Sequence, residues 1–214
     1  MLSEKEYLND AIIFFNQYFG FKEHPITEED TLFFNKYGLL LDCLLWKSFN
    51  KYDKALLDFL YQSPFDFFRH VYKTFNKDNI DEYEQILKSA KELKYKTILD
   101  YGGGIGGVSL WLLDYGFEIT FAEVNKLFIS WMEYLKNKYN LPLKIIDLST
   151  DKITEKYDTI ILKCVLEHLP FEQQQKLMAN LINHLNGKLF ITPLFLEGAD
   201  ELRPMHYHFD INKL

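Results

Sequence analysis

A chain of 214 residues is long enough for one α/β domain with a modest extension, and it can bury a sizeable core. Its formal charge of −7 argues against a general affinity for a phosphate backbone, which needs clustered Lys and Arg, so nucleic acid is disfavoured as a partner. Hydrophobic residues at 48% and charged residues at 26% fit a soluble globular protein, while 19 Phe and 14 Tyr predict large aromatic packing or an aromatic-lined pocket.

Only Cys43 and Cys164 are present, without C-x-x-C spacing, so neither a disulfide framework nor a zinc site is indicated and both read as buried small hydrophobes. The start, MLSEKEYLND, lacks a basic region followed by an apolar run, and no stretch reaches the length of a membrane span. A cytoplasmic protein without membrane contact is the simplest reading.

Up to about Tyr95 the apolar spacing is helical, in EYLNDAIIFFNQYF, TLFFNKYGLLLDCLLWKSF and KALLDFLYQ. Ser3 with Glu6 reads as a capping box, Thr27 opens the second helix, and Pro64 and the stretch from Asn76 to Asn79 mark later breaks. Residues 1–95 are therefore expected to form an N-terminal helical region, serving either as a lid or as a packing layer.

From Lys96 onward short apolar runs alternate with helical segments: TILDY, then VSLWLLDYG; EITFAE, then KLFISWMEYLKNKYN; LKIID; DTIILKC, then a helix from about Phe171 to Leu185; and KLFITPL. Strands alternating with helices imply a parallel sheet covered on both faces by right-handed crossovers. Gly187 sits where a helix C-cap glycine belongs. Residues 96–214 thus form the expected nucleotide-binding domain.

The first strand runs into DYGGGIGG, which fits two patterns. Gly102, Gly104 and Gly107 spell G-x-G-x-x-G, the pattern for a nicotinamide or flavin dinucleotide. Asp100, Gly102, Gly104 and Gly106 spell D-x-G-x-G-x-G, the pattern for S-adenosylmethionine. A glycine-rich turn that opens into a helix brings backbone N–H groups against a ligand. Glu123, at the end of the second strand, can accept hydrogen bonds from ribose hydroxyls and suits either cofactor. Asp100 separates them: a carboxylate there suits the ammonium group of a methionine moiety and would repel a pyrophosphate.

The segment from Thr97 to about Pro193 resembles the class I S-adenosylmethionine-dependent methyltransferases, through ILDYGGGIGG, FAEVN, IIDLS and YDTIILKCVLEHLPFEQQQKLMANLINHLNGKLFIT in that order. The resemblance implies a Rossmann-like doubly wound parallel sheet of order 3-2-1-4-5 and S-adenosylmethionine as cofactor. It implies that Asp100, Gly102, Gly103, Gly104 and Gly106 hold the methionine part and that Glu123 holds the ribose. Asp147 then meets the adenine amino group, unless it serves only as a turn carboxylate. Val124 and Leu148 border the adenine, and the backbone of Lys163 and Cys164 borders the sulfonium. Phe121, Trp111 and Trp131 read as packing residues.

Three histidines stand near the strand ends as candidate bases for the methyl acceptor: His168 in LEHL, and His206 and His208 in PMHYH. A metal on His206 and His208 would need further ligands such as Asp200, Glu201 or Asp210, and no spacing enforces them, so none is expected. Nucleic-acid amino methyltransferases of this family carry D/N-P-P-Y/F after the fourth strand; KCVLEH lacks it, which with the acidic charge points to a small-molecule acceptor.

Family members usually add two more strands after the fifth, and here the chain stops at DINKL, so strands six and seven are expected to be absent and the domain truncated. The fifth strand would then be an exposed sheet edge, covered by the N-terminal helices or by a second copy in a homodimer. The leading expectation is a small-molecule methyltransferase. The alternatives are a non-catalytic S-adenosylmethionine-binding or interaction module and an NAD-dependent oxidoreductase.

Overall fold

The computed structural model describes residues 2–48 and 62–192 together with Tyr207. In chain order the elements are α1 (Glu4–Phe19), α2 (Glu28–Ser48), α3 (Pro64–Thr74), α4 (Lys77–Glu92), β1 (Thr97–Tyr101), α5 (Gly107–Leu113), β2 (Glu118–Glu123), α6 (Lys126–Tyr139), β3 (Leu143–Asp147), β4 (Tyr157–Lys163), a 3₁₀ turn (Leu166–His168), α7 (Phe171–Ile182) and β5 (Leu185–Thr192). KALLDFLYQ lies outside the described residues.

The helix starts follow their local chemistry. Ser3 and Glu6 make the expected reciprocal capping box on α1. Thr27 Oγ1 accepts from the Asp30 N–H ahead of α2, and Ser63, followed by Pro64 in the first turn, caps α3. Asn76 caps α4 by accepting from the Asn79 N–H, so the breaks at Pro64 and at NKDN are helix starts. Among the described residues no helix is long and apolar enough to cross a membrane.

Among the described residues five parallel strands lie in the order β3-β2-β1-β4-β5, as expected. The two-residue period divides the strand side chains between two cores. Ile98, Ile119, Phe121, Leu143 and Ile161 face one core with α1, α3, α4, α5 and α6. Leu99, Ala122, Ile146, Ile160 and Leu162 face the other, with Leu166 and with Met178 and Leu181 of α7. Alternation carries Asp100, Glu123, Asp147 and Lys163 to the first face at the C-terminal strand ends. In a parallel α/β sheet that is where ligands bind.

Helix α1 belongs to the first core. Tyr7, Ala11, Phe14 and Phe15 are buried in the same cluster as Trp131 of α6, which is fully enclosed. Asp10 of α1, 2% exposed, takes an ion pair from Lys138 and a hydrogen bond from Tyr139. Replacing Trp131 by Ala would cost about 3–5 kcal/mol by emptying this shared site.

Gly187 differs from the expectation. Helix α7 ends earlier, at Ile182, with Asn183 as a right-handed cap (φ −68°), and Gly187 lies inside β5. Tyr157 pairs with Leu185 and Thr159 with Lys188, so one extra residue bulges out of β5 opposite Asp158. A Cβ on Gly187 would run into the Asp158 carbonyl and the Tyr95 ring.

Candidate cofactor site

The chain leaves β1 and turns back over the sheet through Gly102–Gly106 before α5 starts. Gly102 donates its N–H to the Ala122 carbonyl at 2.7 Å, and Gly106 to Gly103 at 2.9 Å, closing the turn. Two of its glycines work in opposite directions. A Cβ on Gly103 would meet the Phe121 ring at 2.6 Å and Asp100 Oδ2 at 2.9 Å, so that glycine serves the protein's own packing. Gly104, at φ +58°, has nothing within 4 Å of where its Cβ would be. It is the open side of the cradle, where another molecule can come against bare backbone.

Two carboxylates flank the loop, and both are buried. Asp100 is 1% exposed; Ser109 Oγ, two residues into α5, donates to its Oδ2 at 2.6 Å, and its Oδ1 is buried with no partner among the described residues. Burial pushes its carboxyl up to about 7, against the Ser109 hydrogen bond and with a further push from the charge of Glu123. Glu123 is raised by burial too, but its backbone donors oppose the shift. It accepts from the N–H groups of Gly104 at 2.8 Å, Val124 at 2.7 Å and Asn125 at 3.0 Å. With roughly four lone-pair sites on a carboxylate, it retains about one. A cationic donor would satisfy Asp100, and a hydroxyl would satisfy Glu123.

At the end of β4 the chain makes a sharp turn. Cys164 adopts φ +54°, unusual for a residue with a side chain and of the kind concentrated at functional sites. Its thiol is half-buried, and burial raises it to about 11. The turn brings Val165 against the loop: a Cβ on Gly102 would lie 2.6 Å from Val165 Cγ2. The V-L-E-H-L segment and the glycine loop are therefore one packed unit. Lys163 makes an ion pair with Glu82 of α4 at the edge of this region, and burial lowers its pKa.

The remaining expected residues are spread more widely. His168 is exposed on the 3₁₀ turn, its N–H bonded to the Val165 carbonyl at 3.1 Å. His206 and His208 lie outside the described residues; Tyr207 between them donates its N–H to the Glu167 carbonyl at 2.6 Å. Val124, 59% exposed, stands beside Glu123 at the start of α6. Leu148 donates its N–H to the Glu123 carbonyl at 2.9 Å, and its side chain packs on the second core. Asp147 lies opposite Glu123 in register. It bonds the Ser149 N–H at 3.0 Å and hydroxyl at 2.6 Å and makes an ion pair with Lys126, which hold its pKa below the usual range. Phe121 and Trp131 are core residues, while Trp111 is partly exposed.

Sequence reasoning passed over Ser109 and Tyr7. The position of Ser109 in α5, on the face that also buries Val108 and Leu112, was the signal available for it. No local pattern marks Tyr7, whose hydroxyl donates to the Ile105 carbonyl 98 positions away.

Comparison with known proteins bears on this arrangement. The family model described as tellurite resistance protein TehB matches residues 60–195. Two Haemophilus influenzae relatives, each named a probable S-adenosyl-L-methionine-dependent methyltransferase TehB, are 29% and 28% identical over 134 residues. Those matches cover 60% of this chain and 47% of the relatives, so the match spans about half of their length. A solved S-adenosylmethionine-dependent methyltransferase from Clostridium acetobutylicum superposes with a TM-score of 0.52 at 18% identity, over 60% of this chain and 57% of that one, and shares the fold. The crystal structure of TehB from Haemophilus influenzae aligns with a TM-score of 0.45 at 28% identity, over 50% of this chain and 39% of that one. With the matched residues running from ahead of α3 through β5, the chain belongs to the TehB family.

Proposed function

We propose that this protein binds S-adenosylmethionine on the glycine loop and transfers its methyl group to a small-molecule acceptor in the cytoplasm. The observation that carries the reading is Asp100: a buried carboxyl whose Oδ1 has no partner among the described residues, beside a glycine cradle open at Gly104. The ammonium of a methionine moiety supplies the donor and positive charge this group lacks, whereas a pyrophosphate would add a second anion. The relatives' names agree with this choice of cofactor.

On this reading Asp100 and the backbone of Gly102, Gly103, Gly104 and Gly106 hold the methionine part. Glu123 accepts from the ribose, Val124 and Leu148 border the adenine, Asp147 stands at its amino end, and the backbone of Lys163 and Cys164 borders the sulfonium. The cofactor supplies an electrophilic methyl carbon, so the protein's task is alignment and, for a protonated acceptor, removal of a proton. His168, His206 and His208 are the proposed bases. The net charge of −7 and the absence of D/N-P-P-Y/F after β4 support a small acceptor over nucleic acid.

The test is release of S-adenosylhomocysteine when the protein is supplied with S-adenosylmethionine and a small-molecule extract fraction. Release that depends on the fraction is the expected result. Tight binding of S-adenosylmethionine without release from any fraction would leave a non-catalytic binding module instead.

A further inference from the structure

We infer that Tyr7 is a positioning residue for the cofactor loop, so that its hydroxyl, carried on α1, tunes the affinity of a site built on other elements. The inference rests on the proposed cofactor reading, and Tyr7 lies outside residues 60–195, where the family model matches.

The geometry is specific. Tyr7 is 1% exposed, and its hydroxyl donates to the Ile105 carbonyl at 2.8 Å while accepting from Trp131 Nε1 at 3.1 Å. Its ring is fixed edge-on between Trp131, at 5.2 Å, and Phe75, at 5.4 Å. Ile105 stands between Gly104, the open point of the cradle, and Gly106, the N-cap of α5. Five glycines in six positions make the path costly to order, because glycine loses more freedom on ordering than any other residue.

Beyond the backbone bonds to Ala122 and Gly103 that close the turn, two side-chain contacts hold its middle. Glu123 holds the Gly104 N–H from the end of β2, and Tyr7 holds the Ile105 carbonyl from α1. The Tyr7 hydroxyl is buried and acts through the loop backbone. The indole of Trp131 gives its N–H to the Tyr7 oxygen and Thr74 also bonds the hydroxyl, while the phenol proton goes to the Ile105 carbonyl. Asp10, one helical turn along α1, locks the same helix to α6 through Lys138 and Tyr139.

The experiment compares Tyr7→Phe with Phe15→Leu. Phe15 is equally buried in α1 but packs on Phe19, Phe21, Phe67 and Phe68, away from the loop. Calorimetric titration with S-adenosylhomocysteine is paired with thermal melting and with amide hydrogen exchange across residues 102–110 of the ligand-free protein. Tyr7→Phe is expected to weaken binding about tenfold, the loss that follows when a buried carbonyl and a buried indole N–H each lose their partner. It should also speed exchange at Gly104 and Gly106. Phe15→Leu is expected to lower the melting temperature at least as much, with affinity and loop exchange unchanged.

Unchanged affinity and exchange in Tyr7→Phe would overturn the inference, as would equal losses in both variants. If the wild-type protein binds no S-adenosylhomocysteine, the cofactor reading fails, and the exchange comparison alone decides whether Tyr7 orders the loop.

Discussion

The β1–β2 end and the β3 end of the sheet each present a carboxylate on the same face, yet they differ in what surrounds it. Asp100 and Glu123 are buried, and Asp100 keeps an oxygen without a partner among the described residues. Asp147 is partly exposed and already engaged by Ser149 and Lys126. Burial without a full set of partners is costly and persists where a ligand completes the set. A carboxylate satisfied in a surface turn carries no such demand. On the proposed reading, the energetic centre of cofactor binding lies at β1 and β2, with β3 contributing contact.

The largest expected effect is at Asp100. Asp100→Asn keeps the shape but removes the charge, and S-adenosylmethionine affinity, measured by calorimetry at pH 8, should fall about a hundredfold, as for loss of one partner of a buried charge pair. A fall of only a few fold would erase the distinction between the strand ends.

The same residue sets the pH dependence. The folded-state pKa of Asp100 is raised to about 7, so the ligand-free protein holds this proton until near neutrality. A cationic ligand favours the carboxylate, hence affinity should rise several-fold from pH 6 to pH 8 and fall above, where the ligand's own α-amino group (ordinary pKa about 7.7–8.0) loses its proton, and Asp100→Asn should abolish the rise. Stability runs the other way. The folded state binds a proton that the unfolded carboxyl releases near its ordinary value of 3.8, so this group's contribution to stability declines as pH rises from about 4 to about 7. Urea melts of wild type against Asp100→Asn across that range measure it; parallel pH profiles would contradict the assignment.

Glu123→Gln should have a smaller effect on affinity, about fivefold to tenfold, because the amide retains one acceptor oxygen for the three backbone donors and the ligand. Loss of all binding would mean that the loop itself collapses without the charge. Asp147→Asn should do least, within about threefold, because its exposed ion pair contributes little. An effect rivalling that of Asp100→Asn would move the centre of binding to β3.

The alternation of strands with helices and the acids at the strand ends were legible from local period, since ILDYGG, FAE and IID each end an apolar run in an acid, whereas the strand order followed from the resemblance to the methyltransferase family. The glycine pattern was legible as a cradle, but not which glycine faces outward; that Gly103 is filled by Phe121 and Gly104 is open depends on packing across strands. Gly187 was misplaced as a helix cap because a bulge glycine and a cap glycine look alike beside an apolar run, and only the pairing of β5 with β4 separates them. Tyr7 was invisible for a different reason. Its bond to Ile105 joins residues 98 positions apart, and in sequence Tyr7 is one more aromatic on an amphipathic helix.

The central claim is that the buried Asp100 and the cradle at Gly104 select S-adenosylmethionine. Calorimetric titration of the wild-type protein with S-adenosylmethionine and, separately, with NADH tests it most directly. The account predicts saturable binding of S-adenosylmethionine that strengthens from pH 6 to pH 8, and no heat of binding from NADH. Binding of NADH alone would contradict it.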